Sequence, residues 1–116
     1  MPKVKIYHNP RCSKSRQTLA LIQKKGIEPE VIEYLKTPPS AAELKRILEL
    51  LDLNPRDLLR KNEAEYHEAG LDIGELDDSA IIDAMISHPK LIERPIVVVD
   101  GKAAVGRPPE NVEKII

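Results

Sequence analysis

The sequence predicts an α/β protein built on a mixed four-stranded sheet. A strand–helix–strand succession spans residues 4–34, and two short strands joined by Asp100-Gly101, then a short helix, close the chain. The first pattern is typical of a parallel βαβ unit and the second of a ββα unit. At 116 residues the chain has the size of one domain, so we expect a single domain over residues 1–116.

The first half of the chain alternates strands and helices. Val4–Tyr7 alternates apolar and polar residues and is rich in strand formers, so it is the first predicted strand. A helix is predicted from Ser13 to Lys25, because Gly26 stands where a helix C-cap belongs. Glu30–Tyr34 is the second predicted strand. Ser40–Glu43 reads as a capping box, which predicts a helix with Leu44, Ile47, Leu48 and Leu51 on its apolar side.

Two further helical segments are predicted in the middle of the chain. Pro55 suits the first turn of a helix with Leu58 and Leu59 on its apolar side. Asp78 or Ser79 can cap a second segment that ends before His88-Pro89 and carries an apolar set at helical spacing: Ile81, Ile82, Met85 and Ile86.

The last quarter of the chain predicts a hairpin and a short helix. Ile96–Val99 is the most hydrophobic run and predicts a central strand. Asp100-Gly101 is a strong hairpin-turn signal, so Lys102–Val105 is predicted to pair with that strand. Pro109–Ile116 is predicted as the last short helix.

Composition excludes several classes of function. With three Tyr, no Phe and no Trp, the chain lacks a platform for stacking single-stranded nucleic acid, and we expect no nucleic-acid partner. No apolar run is long enough to span a bilayer, so we expect a soluble, cytoplasmic protein without a membrane partner. A single cysteine excludes an internal disulfide, and the three histidines lack metal-ligand spacing, so we expect no metal.

Charge is unevenly distributed although the net charge is −1. Residues 1–27 hold seven Lys or Arg and no acid, whereas residues 62–89 hold eight acids and no Lys or Arg. We interpret the acidic segment as a solvated helical face. The single cysteine lies in the basic segment, and positive surroundings favour both thiolates and oxyanions.

Cys12 has the sequence context of a reactive thiol. It follows the first strand by a short loop and precedes a helix, whose free N–H groups and dipole stabilise a negative sulfur. Arg11, Lys14 and Arg16 add positive charge, and His8 can donate a hydrogen bond or a charge. The alternative is a buried structural cysteine. A basic, Pro-flanked loop favours the reactive interpretation.

Ser15 stands where a dithiol redox motif has its second cysteine. Any disulfide formed by Cys12 must therefore be resolved by another molecule. Arg60, Arg94 and Arg107 lie beside predicted strand or helix ends, and each alone is more often a surface residue than a ligand. Their relevance depends on whether the fold brings them near Cys12.

Five segments of the chain carry a family resemblance: Tyr7–Arg16, Tyr34–Pro39, Leu58–Lys61, His88–Val98 and Gly106–Pro108. Together they make the sequence resemble, over nearly its whole length, the family of arsenate reductases that use glutathione and glutaredoxin.

This resemblance implies a thioredoxin-like fold with a helical insertion at about residues 40–90. It implies that Cys12 is the nucleophile that attacks arsenate and that His8 favours its thiolate. It further implies that the oxyanion is held by Arg60, Arg94 and Arg107. Glutathione, as a cosubstrate, and glutaredoxin would supply the electrons, with no bound cofactor.

Two other functions remain open at this point. The protein could be a monothiol thiol–disulfide oxidoreductase that acts on glutathione mixed disulfides. It could also be a non-enzymatic, redox-responsive transcription regulator of the same fold that docks through its acidic segment. Regulators of this family usually carry a cysteine at the position of Ser15, which argues against the second alternative.

Overall fold

The computed structural model describes residues 3–61, 63–68, 70 and 76–116, which form two compact units. The sheet unit comprises Met1–Thr37 and Arg94–Ile116, and the helical unit comprises Pro38–Glu93. The single domain expected over residues 1–116, with its insertion at about 40–90, stays a prediction.

The sheet unit contains four strands in the order β2-β1-β3-β4. They are β1 (Val4–Tyr7), β2 (Glu30–Ile32), β3 (Ile96–Val99) and β4 (Lys102–Val105). β1 runs parallel to β2 and antiparallel to β3, and β3 runs antiparallel to β4. The predicted mixed four-stranded sheet is therefore confirmed.

One helix, α1 (Ser13–Lys24), connects β1 to β2 and packs on the sheet core. Alternate residues of the central strands point to this side, because successive side chains of a strand face opposite ways. The buried cluster consists of Val4, Ile6, Ile22, Val97, Val99 and Val112.

The predicted hairpin turn is also confirmed. Asp100 and Gly101 both have positive φ, at 41° and 81°. This is the backbone that a two-residue type I′ hairpin requires.

Two elements of the sheet unit differ from prediction. β2 ends at Ile32 rather than Tyr34, because the N–H groups of Lys36 and Thr37 both bond to the Glu33 carbonyl and turn the chain. The last predicted helix is a 3-10 helix over Pro109–Lys114.

The helical unit contains α2 (Ala41–Leu51), α3 (Ala64–Glu68) and α4 (Asp78–Ser87). The capping box is present at α2: the Glu43 N–H donates to Ser40 Oγ at 3.1 Å, and the Ser40 N–H donates to Glu43 Oε1 at 3.4 Å. α4 contacts α2 and two 3-10 turns. Buried apolar residues on these elements include Leu44, Ile47, Leu48, Leu58, Ile81, Ile82, Met85 and Leu91.

Four features of the helical unit differ from prediction. Pro55 starts only a single 3-10 turn that ends at Leu58. Leu59 is extended and pairs with Ile92 in an isolated antiparallel bridge. The cap of α4 is Asp77, not Asp78 or Ser79, because its Oδ1 accepts the Ala80 N–H at 2.8 Å. The short helix α3 was not predicted.

The acidic segment at 62–89 lies in this unit. Residues 62, 69 and 71–75 of it lie outside the described residues. Glu68, Asp77, Asp78 and Asp83 are exposed, as a solvated face requires, whereas Glu63 and Glu65 are half-buried. None of the helices in the described ranges combines the length and apolarity needed to cross a membrane.

Candidate active site

Three chain segments meet at one edge of the sheet. Tyr7 lies opposite Ile96, and Ile96 lies opposite Val105. Because both pairs are antiparallel, the loop after β1, the residues before β3 and the residues after β4 all leave the sheet at this edge. The first carries Cys12, the second Arg94 and the third Arg107.

Cys12 lies at the N-cap of α1 and is half-buried. The loop before it is closed by two hydrogen bonds to Asn9. The Cys12 N–H donates to the Asn9 carbonyl at 3.0 Å, and the Arg11 N–H donates to Asn9 Oδ1 at 3.0 Å. The sulfur is thereby held over the first turn of a helix, where the orphan N–H groups carry partial positive charge.

The pKa of the Cys12 thiol is lowered from its ordinary value. Burial acts in the opposite direction, but it is outweighed by the Ser15 N–H, then Arg94, then the Lys14 N–H and Arg107. The Cys12 side chain makes no capping hydrogen bond to the first turn of α1, so the N–H groups of that turn act on the sulfur at longer range. The sulfur is therefore a thiolate at a lower pH than a free cysteine.

Arg107 is in contact with the sulfur. Its Nη2 lies 3.6 Å from Cys12 Sγ, and its Nε donates to the Arg94 carbonyl at 2.9 Å. Its own carbonyl accepts a hydrogen bond from Asn111 Nδ2 at 3.0 Å. These bonds orient the guanidinium across the edge of the sheet toward Cys12.

Both Arg–Pro peptides at this edge are cis: Arg94-Pro95 and Arg107-Pro108. The sequence alone left the isomer of Pro95 open. Pro95 also accepts the Gly106 N–H at 2.9 Å, which ties the residues before β3 to those after β4.

Arg60 lies in the helical unit, whereas the other predicted site residues lie in the sheet unit. Its guanidinium pairs with Glu63 at 2.7 Å and donates to the Lys90 carbonyl at 3.4 Å. Its N–H donates to the Leu91 carbonyl at 2.7 Å. The role of Arg60 in holding an oxyanion stays a prediction.

His8 contacts Ser15. His8 Nδ1 lies 2.6 Å from Ser15 Oγ, which also accepts the Asn9 N–H at 3.0 Å. The pKa of His8 is lowered by burial, which outweighs the opposing effect of Glu33, and Arg16 lowers it further. We therefore assign a neutral ring whose Nδ1 accepts the Ser15 hydroxyl proton.

This arrangement changes how His8 can act on the thiol. In the described part of the chain, His8 is not among the groups that shift the Cys12 pKa. Ser15 joins the two residues instead, because its hydroxyl bonds to His8 and its N–H stabilises the thiolate. Ser15 therefore connects His8 to the thiol, and the effect of His8 on the thiolate stays a prediction.

Gly106 directly follows β4 and lies close to Thr18 of α1. A Cβ at this position would lie 2.5 Å from Thr18 Oγ1 and 2.8 Å from Pro95 Cγ. Thr18 is fully buried, and its hydroxyl donates to the Lys14 carbonyl at 2.8 Å. A residue with a Cβ would therefore require Thr18, Pro95 or the backbone just before Arg107 to move.

Sequence reasoning did not assign roles to Asn9, Thr18 or Gly106. Asn9 had a detectable signal, because an Asn side chain in a turn commonly accepts the backbone N–H two residues later. Gly106 had one too, since an isolated glycine at a strand end can mark a close approach of two chain segments. The partner of that approach, Thr18, has no local signal.

Residues 7–115 match the model of the ArsC family. The protein YfgD of Escherichia coli K12, described as uncharacterized, is 54% identical over 98% of this chain and 97% of its own. An arsenate reductase of Neisseria meningitidis is 51% identical over 100% of both chains. A solved structure of an arsenate reductase from Vibrio cholerae is 55% identical over 98% of both chains, with a TM-score of 0.95. The expected thioredoxin-like fold is thereby confirmed.

Proposed function

Because the chain belongs to the ArsC family, we propose that it is an oxidoreductase that reduces arsenate to arsenite through Cys12. The observation that carries this proposal is the contact between Arg107 Nη2 and Cys12 Sγ at 3.6 Å. A sulfur nucleophile and an oxyanion repel each other, and a guanidinium beside both offsets that repulsion.

The arginines supply the recognition of the oxyanion. A guanidinium presents a planar fork of N–H donors that matches two oxygens of a tetrahedral anion. Arg94 and Arg107 both act on the Cys12 sulfur, so an arsenate held by them would have its arsenic next to the thiolate. Binding and nucleophile activation would thus use the same two side chains.

The reaction begins with attack of the thiolate on arsenic. The Sγ–As bond forms, one As–O bond breaks, and the departing hydroxide takes up a proton and leaves as water. A glutathione thiolate then attacks this adduct at sulfur. Arsenic gains two electrons and leaves as arsenite, while Cys12 and glutathione are oxidised to a mixed disulfide.

Glutaredoxin would complete the cycle by reducing that mixed disulfide and returning Cys12 to the thiolate. The chain contains one cysteine, so the second sulfur must come from another molecule. No bound cofactor is needed for this chemistry. Since the thiol must stay reduced between turnovers, we assign the protein to the reducing cytoplasm.

The test is steady-state arsenite formation by the purified protein with arsenate, glutathione and glutaredoxin. Cys12→Ser should abolish turnover, because a hydroxyl at this position is not ionised near neutral pH. Lys24→Gln, an exposed change at the far end of α1, is the matched control and should keep full activity. Unchanged turnover in Cys12→Ser would refute the proposal.

A second candidate function also fits the lone activated thiol: disulfide exchange on glutathione mixed disulfides. The two functions differ in their need for the guanidinium fork. Arg107→Lys keeps the charge near Cys12 but removes the fork, so it should slow arsenate reduction far more than disulfide exchange. Equal losses in both assays would favour the exchange function.

A further inference from the structure

The side chain of Asn111 lies beside the segment that carries Arg107. Its Nδ2 is 3.0 Å from the Arg107 carbonyl oxygen and 3.4 Å from the Val105 carbonyl oxygen. Both partners are acceptors, so the amide turns its NH2 group, with its two N–H donors, toward them. One side chain therefore holds the main chain on both sides of Gly106.

We propose that Asn111 is a positioning residue, which fixes the place of Arg107 beside Cys12 and thereby the binding of the oxyanion. The inference rests on the proposed function for its substrate, whereas the contact between Arg107 and Cys12 does not depend on that function. The observations that support it are the lack of backbone donors directly after Arg107, the anchoring of Asn111 in the core and the reach of the Arg107 side chain.

The backbone directly after Arg107 has no N–H groups with which to hold itself in place. Pro108 and Pro109 follow, and proline has no N–H to donate. Two residues farther on, the Asn111 N–H donates to the Pro108 carbonyl at 3.0 Å, and the side chain of Asn111 reaches back to the Arg107 carbonyl. The side-chain amide thus supplies the donors that the two prolines lack.

Asn111 itself is fixed by the core of the sheet unit. It lies in the 3-10 helix over Pro109–Lys114, in which Pro109 and Val112 are buried. Val112 is 0% exposed and belongs to the buried cluster on the sheet, and the helix contacts α1 and β4. The amide is therefore presented from a rigid base, so its hydrogen bonds constrain residue 107 rather than follow it.

The contact with Cys12 depends on this constraint. The Arg107 guanidinium lies 3.6 Å from Cys12 Sγ, while Nε of the same side chain donates to the Arg94 carbonyl at 2.9 Å. Both contacts are made by the outer end of a long, rotatable side chain. Asn111 acts at the other end, on the main chain next to the Arg107 Cα. Because a displacement of about 1 Å can cost an enzyme about a hundredfold in rate, both ends have to be held.

The test replaces the amide of Asn111. Asn111→Leu keeps the branching at Cγ but has no donor, and Asn111→Ser is too short to reach both carbonyls. Either variant should raise the KM for arsenate about tenfold, the effect of losing one hydrogen bond, and leave the KM for glutathione unchanged. Glu113→Gln, an exposed change in the same 3-10 helix, is the matched control and should keep both values. An unchanged KM for arsenate in the two folded Asn111 variants would overturn the proposal.

The alkylation of Cys12 shows whether Asn111 acts through Arg107. The rate below the inflection should fall in Asn111→Leu, but less than in Arg107→Gln, because the guanidinium is displaced rather than removed. In the Arg107→Gln background, Asn111→Leu should cause no further fall. A further fall of the same size would overturn the proposal, since independent effects add.

Alkylation also separates this inference from the proposed function, because it requires no arsenate. Slower alkylation in Asn111→Leu, without arsenate reduction by the unmodified chain, would keep the positioning role and remove the proposed function. Arsenate reduction in which Asn111→Leu changes neither the KM for arsenate nor the alkylation rate would keep the function and remove the positioning role.

Discussion

Gly106→Ala is expected to destabilise the fold and displace Arg107 from Cys12. The added Cβ would lie 2.5 Å from Thr18 Oγ1, 2.8 Å from Pro95 Cγ and 3.0 Å from Thr18 Cγ2. Ordinary contact begins at 3.4 Å, so about 0.9 Å of separation must be gained on the Thr18 side. Thr18 is stiff at χ1 and Pro95 is a ring, so the backbone has to move.

The expected loss of stability is about 1–3 kcal/mol, the usual effect of overpacking a buried site. Moving the backbone at Gly106 by about 0.9 Å should also lengthen the 3.6 Å contact between Arg107 and Cys12. The pKa of the thiol should then rise toward that of a free cysteine. Urea unfolding measures the first effect. The pH dependence of the rate of alkylation by iodoacetamide measures the second.

A double-mutant cycle identifies the cause. Thr18→Ala removes both γ atoms that the new Cβ would meet and should make Gly106→Ala less harmful, with a coupling of about 0.5–3 kcal/mol. The clash with Pro95 remains, so the rescue should be partial. Full stability in Gly106→Ala, or strict additivity with Thr18→Ala, would refute this account of the close approach.

Three further predictions concern single interactions. Arg107→Gln should raise the pKa of Cys12, so its alkylation rate below the inflection falls several-fold; Lys24→Gln should leave the rate unchanged. The pKa of His8 is lowered in the folded state, so the unfolded chain binds this proton more readily and the free energy of unfolding falls as the pH drops below about 6.5. In His8→Gln the free energy of unfolding, measured with urea across this pH range, should lose the part of its pH dependence that His8 causes. Ser40→Ala removes the cap of α2 and should lower the free energy of unfolding by about 1 kcal/mol, measured in the same way.

Sequence patterns correctly predicted the structural features that interactions between neighbouring residues stabilise. The capping box at Ser40–Glu43 and the Asp100-Gly101 turn are formed by neighbouring residues, and both appear as predicted. β2 was predicted two residues too long because Tyr34 is a good strand former, whereas bonds to the Glu33 carbonyl turn the chain there. Strand propensity is a weak guide when a turn competes for the same backbone groups.

In the helical unit, too, features stabilised by neighbouring residues were predicted and those stabilised by distant residues were not. Pro55 starts a turn as predicted, but the chain then becomes extended because Leu59 pairs with Ile92, more than thirty positions away. No periodicity near Pro55 signals that bridge. Asp77 caps α4 in place of its neighbours Asp78 and Ser79, a difference of one or two residues that is common at helix ends.

For the candidate site, sequence alone identified Cys12 and its position before a helix. It could not show which cations reach the sulfur, because Arg94 and Arg107 are more than eighty positions away along the chain. The sheet register brings them there: Tyr7 opposite Ile96 and Ile96 opposite Val105 place all three segments at one edge.

The thiolate at Cys12 therefore depends on two kinds of structure that can fail separately. The Ser15 and Lys14 N–H groups belong to α1 and need only that helix, whereas Arg94 and Arg107 need the correct pairing of β1, β3 and β4. Burial opposes both, and together they outweigh it. Removing one guanidinium should thus weaken the thiolate without abolishing it. Oxyanion binding should be lost more completely, because in this proposal no side chain of α1 contributes to it. The guanidinium of Arg107 activates the sulfur and would also hold the substrate. Because both roles depend on where Arg107 lies, and Gly106 sets that position, this is the most sensitive point of the site.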